Sequence, residues 1–266
     1  MPRLADVVDL LHTWYPPGTA DSWDAVGLVA GDPDAEVGRV AFAVDPTIEV
    51  AREAIDWGAD LLVVHHPLLL TPVSSVAATT PKGRTLHALT SSGCALLTAH
   101  TNADLADGGV SESLALALGL EDLEPIRPVA EGASTGTGRI GTLAPTTLDA
   151  FAARVAAALP ATAHGVRVAG DPGRPVRRVA VCGGAGDFLL DELARSDVDA
   201  YVTSDLRHHR AGEFLEHGGP ALVDVAHWAA EWTWLPVVEG RLRAAMGDRV
   251  ETRVSTLCTD PWKFRH

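Results

Sequence analysis

The stretch that decides the fold is DLLVVHHP, residues 60–67. Its four consecutive apolar residues are typical of a strand buried on both faces, as in parallel sheets covered by helices. The run ends in His65 and His66, and Pro67 cannot continue a central strand. Open α/β sheets bind ligands at the carboxyl ends of their strands. We therefore expect a binding site here; the alternative is a pair of solvated histidines in a loop.

Buried strands and amphipathic helices alternate on both sides of this stretch, which indicates helices packed on mostly parallel sheets. The predicted elements of the first half are strands at 37–44, 60–66 and 94–100 and helices at 46–57, 83–92 and 110–120. Gly58 is expected to end the first of these helices, at 46–57. Residues 121–138 are rich in Pro, Gly, Ser and Thr and predict a linker.

The alternation resumes after the linker. Strands are predicted at 139–144, 166–170, 176–182, 199–204, 221–226 and 250–258, and helices at 146–159, 187–195 and 206–217, with a long helix beginning at His227. The expected fold class is α/β, with two α/β domains whose mixed, mostly parallel sheets are flanked by helices. We expect a discontinuous metal-binding domain, 1–125 plus 222–266, and a second domain at 126–221.

Composition limits the classes of function. The chain has 266 residues and a formal net charge of −14, which disfavours nucleic-acid binding. It contains no apolar run long enough for a membrane span, and its first residues lack a signal-peptide pattern, so a cytoplasmic protein is expected. Cys94, Cys182 and Cys258 are widely separated and are expected to be structural thiols rather than a disulfide framework.

Two further predicted strands end in residues that commonly bind metals. CALLTAH (94–100) leads to Asp104, a hard oxygen ligand, and His100 and Asn102 are placed to orient it. ALVDVA (221–226) leads to His227 and Glu231, which lie one turn apart on the same face of a helix. Each motif alone has an ordinary explanation, as a turn residue or a solvated pair.

Together the three strand ends supply three imidazoles and two carboxylates, from His65, His66, Asp104, His227 and Glu231. This set is too rich for a closed tetrahedral zinc site. It suits two divalent ions, with the two oxygens of Glu231 bridging them and water completing the site. Zinc, iron and manganese are compatible with imidazole and carboxylate ligands. Glu231 is therefore also the candidate catalytic residue, acting with a metal-bound water.

Two other clusters follow predicted strands. The loop Cys182-Gly-Gly-Ala-Gly-Asp187 is compatible either with an anion cradle at a helix N-terminus or with a turn that needs glycine. In Thr203–His209, Asp205 is expected to cap the next helix. Arg207, His208 and His209 are candidates for contact with substrate, as is Asn102. Trp228, Trp232 and Trp234 are expected to pack in the core or at an interface.

These motifs, in this order, resemble the GTP cyclohydrolase I type 2 homologue family, also called Nif-three-like proteins. The resemblance covers nearly the whole chain. Its motifs are Ser22–Leu28, Val64–Pro67, His100–Asp104 with Gly108-Gly109, Cys182–Gly186, Thr203–Asp205 with His209, and His227 with Glu231. Ala25, Ala226 and His208 depart from the residues usual at their positions, which puts substrate contacts in doubt but removes no ligand.

The resemblance implies a two-domain α/β protomer with a dinuclear metal centre held by His65, His66, Asp104, His227 and Glu231. It also implies a ring-shaped homohexamer, a trimer of dimers, with its metal centres facing an internal cavity. The activity it suggests is metal-dependent hydrolysis of a nucleotide, phosphoester or cyclic amide. The alternative is a non-catalytic metal-binding regulator or scaffold ring. Nucleic-acid binding through the ring is a third hypothesis, against which the acidic charge argues.

Overall fold

The computed structural model describes residues 1–266 as ten α-helices and thirteen β-strands. The helices are α1 (Leu4–Trp14), α2 (Ile48–Trp57), α3 (Pro81–Ser91), α4 (Thr101–Leu105), α5 (Val110–Ala117), α6 (Leu148–Ala158), α7 (Leu190–Leu193), α8 (His208–Glu216), α9 (His227–Trp232) and α10 (Leu235–Met246). The strands are β1 (Gly27–Ala30), β2 (Arg39–Ala43), β3 (Leu61–Val64), β4 (Ala95–Thr98), β5 (Glu121–Glu124), β6 (Arg127–Pro128), β7 (Gly136–Thr137), β8 (Arg139–Thr147), β9 (Val166–Ala169), β10 (Pro175–Ala185), β11 (Ala200–Ser204), β12 (Ala221–Val225) and β13 (Glu251–Val254). No helix has the length and apolar character needed to cross a membrane.

The chain divides into two compact units. The first comprises Met1–Ala106 and Leu235–Thr259, and the second comprises Asp107–Trp234 and Asp260–His266. The boundaries predicted from the sequence were 125 and 222, so the second unit takes more of the chain than expected. The reason is strand pairing: β5 is hydrogen-bonded to β8, and β12 to β11 and β9, within the sheet of the second unit.

The first unit is built on a five-stranded sheet with the order β1-β4-β3-β2-β13. Every pairing from β4 to β13 is parallel, and only β1 at the edge is antiparallel. The side chains of β3 and β4 are buried throughout, as their uninterrupted apolar sequences predict. This burial stabilises the centre of the sheet and fixes the positions at which the strands end.

The second unit is built on a six-stranded sheet with the order β5-β8-β10-β11-β12-β9. Its centre, β10-β11-β12, is parallel, and the outer strands are antiparallel. Five of the nine pairings in the two sheets are parallel. The predicted class, α/β with mixed, mostly parallel sheets flanked by helices, is therefore confirmed.

Local signals in the sequence account for several boundaries. Gly58 follows α2 in the left-handed conformation (φ 78°), which ends the helix as predicted. The Thr147 side chain accepts a hydrogen bond from the Ala150 backbone N–H at the start of α6, as expected of a threonine cap. Trp228 and Trp234 are buried in the core, in agreement with the packing role predicted for them.

Two predicted elements were wrong. The proposed linker at 121–138 contains three strands, because β5 pairs with β8 and β6 pairs with β7. The residues of β5 are mostly exposed at the sheet edge, so they lack the apolar alternation by which strands are recognised. The long helix from His227 is instead two helices, α9 and α10, separated at Thr233 and Trp234. Pro236 has no N–H with which to continue the hydrogen-bond ladder of α9.

Candidate metal site

The carboxyl ends of β3 and β4 bring three imidazoles together in the first unit. His65 and His66 directly follow β3, and His100 lies two residues after β4. Their ring centroids are 5.1 to 5.6 Å apart, and one donor nitrogen from each ring lies within 4.8 Å of the other two. This arrangement can hold a metal ion.

His65 and His66 share one cluster although neighbouring side chains of a strand point to opposite faces. The ladder of β3 ends at Val64, and the His65 and His66 backbone N–H groups both donate to the Val44 carbonyl at the end of the neighbouring strand. This departure from the regular ladder directs the two rings toward each other, with an angle of 42° between their planes.

All three rings have the Nδ1 atom hydrogen-bonded to an acceptor. His65 Nδ1 lies 2.9 Å from the Ala99 carbonyl oxygen. A carbonyl can only accept, so Nδ1 carries the hydrogen and Nε2 keeps its lone pair. His66 Nδ1 lies 2.7 Å from Asp45 Oδ1, and His100 Nδ1 lies 2.8 Å from Asp24 Oδ1. Metal-binding histidines are usually oriented in this way, with the second nitrogen donating to a carbonyl or a carboxylate.

The Asp24 carboxylate holds His100 in this cluster, and the Asp24 side chain is fully buried. Its carboxylate accepts hydrogen bonds from His100 Nδ1 and from the Thr101 backbone N–H and hydroxyl. Burial alone would raise the pKa of Asp24, but the bonds from Thr101 and His100 outweigh it and hold the pKa below its ordinary value. The pKa of His100 is lowered by burial and by the neighbouring His65. A neutral His100 held by an ionised Asp24 follows from these shifts.

Asp104 and Asn102 lie on α4, directly after His100. Asp104 Oδ1 is 3.6 Å from His65 Nε2, and about a quarter of the Asp104 side chain is exposed, so this carboxylate lies beside the imidazole cluster. Asn102 is buried: its amide oxygen accepts from the His100 backbone N–H, and its amide nitrogen donates to the Tyr15 carbonyl. The Asn102 amide therefore holds the loop through two backbone contacts, and its predicted contact with substrate stays a prediction.

The second unit places His227 and Glu231 on α9, directly after β12. His227 Nε2 lies 2.8 Å from Glu231 Oε1, and Glu231 is buried. His227 Nδ1 lies 2.7 Å from Asp205 Oδ2. Burial alone would lower the pKa of His227, but the carboxylates of Glu231 and Asp205 outweigh it and raise the pKa to about 11. The predicted pairing of these residues one helical turn apart is therefore present.

Asp205 differs from its predicted role as a helix cap. Arg207 is the residue that precedes the first turn of α8, and the Asp205 carboxylate instead accepts from His227. Asp205 has a left-handed backbone (φ 59°), which is uncommon outside glycine, although Asp tolerates it. This conformation ends β11 at Ser204 and is compatible with the Asp205–His227 contact.

In the segment Cys182–Gly186, Gly184 and Gly186 lie so close to neighbouring side chains that a Cβ atom would not fit. A side chain at Gly184 would place its Cβ 2.6 Å from Glu231 Oε1 and 3.2 Å from His227 Nε2, and its φ is +69°. A Cβ at Gly186 would lie 2.1 Å from the Tyr201 hydroxyl. The sequence left open an anion cradle or a turn that needs glycine, and the structure supports the need for glycine. A glycine at 184 lets the backbone of β10 pass directly beside His227 and Glu231.

Three candidate substrate contacts lie at the start of α8. Arg207 is exposed and forms an ion pair with Asp187 at 2.5 Å. His208 and His209 are both exposed on α8, with ring centroids 5.2 Å apart. These side chains are accessible, and nothing in their contacts assigns them a ligand.

Three carboxylates that orient the histidines were not singled out for this role from the sequence: Asp24, Asp45 and Asp205. A signal was present for Asp45, because it follows the buried strand β2, which is parallel to β3. Its carboxylate therefore lies at the same edge of the sheet as His66. Asp24 precedes β1 in a turn, and no periodic pattern in the sequence connects it with His100, 76 positions away.

Comparisons with known proteins assign the chain to a family. The family model for Duf34/NIF3 (NGG1p interacting factor 3) matches residues 2–261. The chain belongs to this family. A Streptomyces coelicolor protein named GTP cyclohydrolase 1 type 2 homolog is 50% identical, with 98% of this chain and 94% of the relative covered. A Mycobacterium tuberculosis protein of the same name is 39% identical, with 99% and 97% covered.

Solved structures share the fold of this chain. A Bacillus cereus protein described as related to NIF3 has a TM-score of 0.90 at 25% identity, with 99% of each chain covered. A Staphylococcus aureus protein has a TM-score of 0.89 at 27% identity, again with 99% of each chain covered. The resemblance to this family inferred from the motifs is therefore confirmed, and so is the α/β fold that it implied.

Proposed function

We propose that this Duf34/NIF3 protein is a metal-dependent hydrolase that uses two divalent ions per chain to act on a nucleotide, a phosphoester or a cyclic amide. The observation that carries the proposal is the orientation of the imidazoles. His65, His66 and His227 each have Nδ1 bound to a carbonyl or carboxylate oxygen, as in metal-binding histidines. The chemistry of the donors, imidazole with carboxylate, fits zinc, iron or manganese.

The proposed ligands are His65, His66 and Asp104 from the first unit and His227 and Glu231 from the second. His100 was expected only to orient Asp104, yet its donor nitrogen belongs to the cluster of His65 and His66, so it is a candidate ligand as well. We propose Glu231 as the residue that contacts both ions, because its carboxylate has two oxygens. When bound, paired ions polarise the scissile bond and activate water.

The residues of the chain would contribute in distinct ways. Asp24, Asp45 and Asp205 hold the rings of His100, His66 and His227 in place. Gly184 keeps the backbone clear of the Glu231 carboxylate, where any side chain would intrude. The buried position of Glu231 strengthens its interaction with a cation, because the local dielectric is low.

The rate of hydrolysis by the Glu231→Gln variant, compared with that of the wild type, tests the hydrolase proposal. Gln has the same shape but no charge, so we expect the metal-loaded variant to lose at least about 100-fold in the rate of hydrolysis, in line with the loss of a charged group at a reacting centre. The measurement is phosphate or amine release from a panel of nucleotides, phosphodiesters and cyclic amides. Glu216→Gln changes an exposed glutamate on α8 and should leave the rate unchanged.

Unchanged turnover in Glu231→Gln would contradict the role given to this residue. Stoichiometric metal binding by the wild-type chain, with no turnover of any compound in the panel, would favour the alternative of a metal-binding regulator or scaffold.

We also propose that the chain assembles as a homohexamer, a trimer of dimers, as the motif resemblance implied. Light scattering should then give a mass six times that of one chain.

A further inference from the structure

An exposed aromatic ring lies directly beside the imidazole cluster of the first unit. Trp23 is 57% exposed, and its ring centroid is 5.9 Å from that of His100, with the two planes at 80°. His100 in turn contacts His65 and His66. The indole therefore extends the polar cluster with a flat apolar surface that is open to solvent.

The backbone that carries Trp23 is firmly held although the side chain is exposed. The Asp21 backbone N–H donates to the Thr101 hydroxyl at 2.9 Å, and the Asp24 N–H donates to the Asp21 carbonyl at 2.9 Å. The buried Asp24 carboxylate accepts from Thr101 and His100. Both ends of the turn at residues 21–24 are thus bonded to the loop that positions His100, so the backbone that carries the indole is held beside the cluster.

From these contacts we propose that Trp23 is a substrate-binding residue that stacks on a planar heteroaromatic ring of the nucleobase type. An indole face offers stacking to any such ring without selecting a hydrogen-bond pattern. Because its turn is already ordered, stacking on it costs little conformational entropy. The inference rests on the proposed function, since it assumes that the substrate binds at the imidazole cluster, and it narrows the substrate class to compounds that contain such a ring.

The test compares ligands with and without a ring. We would measure the affinity of the metal-loaded protein for adenosine 5′-monophosphate, guanosine 5′-monophosphate and ribose 5-phosphate by calorimetry. The phosphate is common to all three, so the difference in affinity reports the ring. We expect at least one mononucleotide to bind about ten-fold or more tightly than ribose 5-phosphate, as one base–aromatic stack provides.

Variants at Trp23 assign that difference to the indole. Trp23→Ala should bind the mononucleotide and ribose 5-phosphate with equal affinity, whereas Trp23→Phe should keep most of the preference. Trp262→Ala removes another exposed tryptophan, at 67% exposure, and should behave as wild type. Metal content is measured on every sample and should be the same in all of them.

Three results would overturn the inference: equal binding of all three ligands by the wild-type protein, an unchanged ring preference in Trp23→Ala, or a change in oligomeric mass in Trp23→Ala. The last would show that Trp23 packs against another copy of the chain. A wild-type protein that binds no metal would instead contradict the proposed function. The affinities for the three ligands can still be compared without metal, so the role of Trp23 is tested separately. The two failures are therefore distinguishable.

Discussion

Each site histidine depends on a hydrogen bond to its Nδ1 atom for the direction in which its Nε2 atom points. For His66 this partner is Asp45, at 2.7 Å. For His227 it is Asp205, also at 2.7 Å. Such partners fix the tautomer and the rotation of the ring, so that no reorientation is needed when a metal binds. Under the proposed function, the affinity for metal therefore depends in part on residues that would not themselves contact the ion.

Asp45→Ala should therefore weaken metal binding by about 10- to 100-fold. The His66 ring loses its orienting acceptor, while its own nitrogen remains available. Competition with a fluorescent zinc chelator measures the change. Asp56→Ala, at an exposed position on α2, is the matched control. An Asp45→Ala affinity equal to that of the control would show that the Asp45–His66 bond has no part in metal binding.

The pKa of His227, raised to about 11 in the metal-free protein, predicts a pH dependence of stability. A group whose pKa is higher in the folded state stabilises the fold fully below its unfolded pKa of about 6.5, and this contribution is lost as pH rises toward the folded pKa. In the presence of a chelator, the free energy of unfolding of wild type minus that of His227→Gln should therefore fall steadily from pH 6.5 to pH 10. Urea denaturation measures it. A difference that is constant over this range would contradict the shift.

At the residue scale, the sequence identified candidate ligands where several metal-binding residue types occur close together. His65 and His66 stand out because two imidazoles end an apolar strand, and His227 and Glu231 because they are one turn apart. Asp24 could not be recognised in the same way, since its contact with His100 is made by tertiary structure and not by spacing along the chain. The orientation of the Asn102 amide toward the backbone is likewise invisible until the loop is folded.

At the scale of elements, the sheets of both units share the same arrangement of strands. Three adjacent parallel strands end at one edge of each sheet, β2-β3-β4 in the first and β10-β11-β12 in the second. Polar residues that follow these strands are thereby brought together, although they are far apart in sequence. The ends of buried strands were predictable because their apolar runs stop abruptly. The edge strand β5 was not, because an exposed strand has no apolar run to interrupt.

Gly184→Ala tests the close approach of β10 to the ligand pair. The added Cβ would lie 2.6 Å from Glu231 Oε1 at a residue with φ +69°, and the left-handed backbone alone costs an alanine about 1–2 kcal/mol. We expect lower stability and weaker metal binding, because Glu231 must move. Gly212→Ala is the control: it lies on α8 with no heavy atom within 4 Å of the added Cβ, and alanine there should stabilise the helix by about 0.5–1 kcal/mol.

The outcome is read from chemical denaturation and metal titration of both variants. Equal behaviour of Gly184→Ala and Gly212→Ala would show that the segment tolerates a side chain, and that the glycine at 184 has no bearing on Glu231.

At the scale of the whole molecule, one chain supplies the candidate ligands from two compact units. Imidazole and carboxylate groups occur in both compact units, with His65 beside Asp104 in the first and His227 beside Glu231 in the second. The sequence predicted two α/β domains but placed their boundaries at 125 and 222. Boundaries depend on which strands pair, and the pairing of β12 with β11 and β9 cannot be deduced from an apolar pattern that suits either sheet.

The most direct test of the central claim is the metal content of the purified protein, measured by elemental analysis without chelators during purification. We expect two divalent ions per wild-type chain and one or none in His65→Ala, because this substitution removes a proposed ligand that is fully buried. His217→Ala, at an exposed position after α8, should retain both ions. A wild-type chain that carries no metal, or a His65→Ala chain that carries two, would contradict the claim.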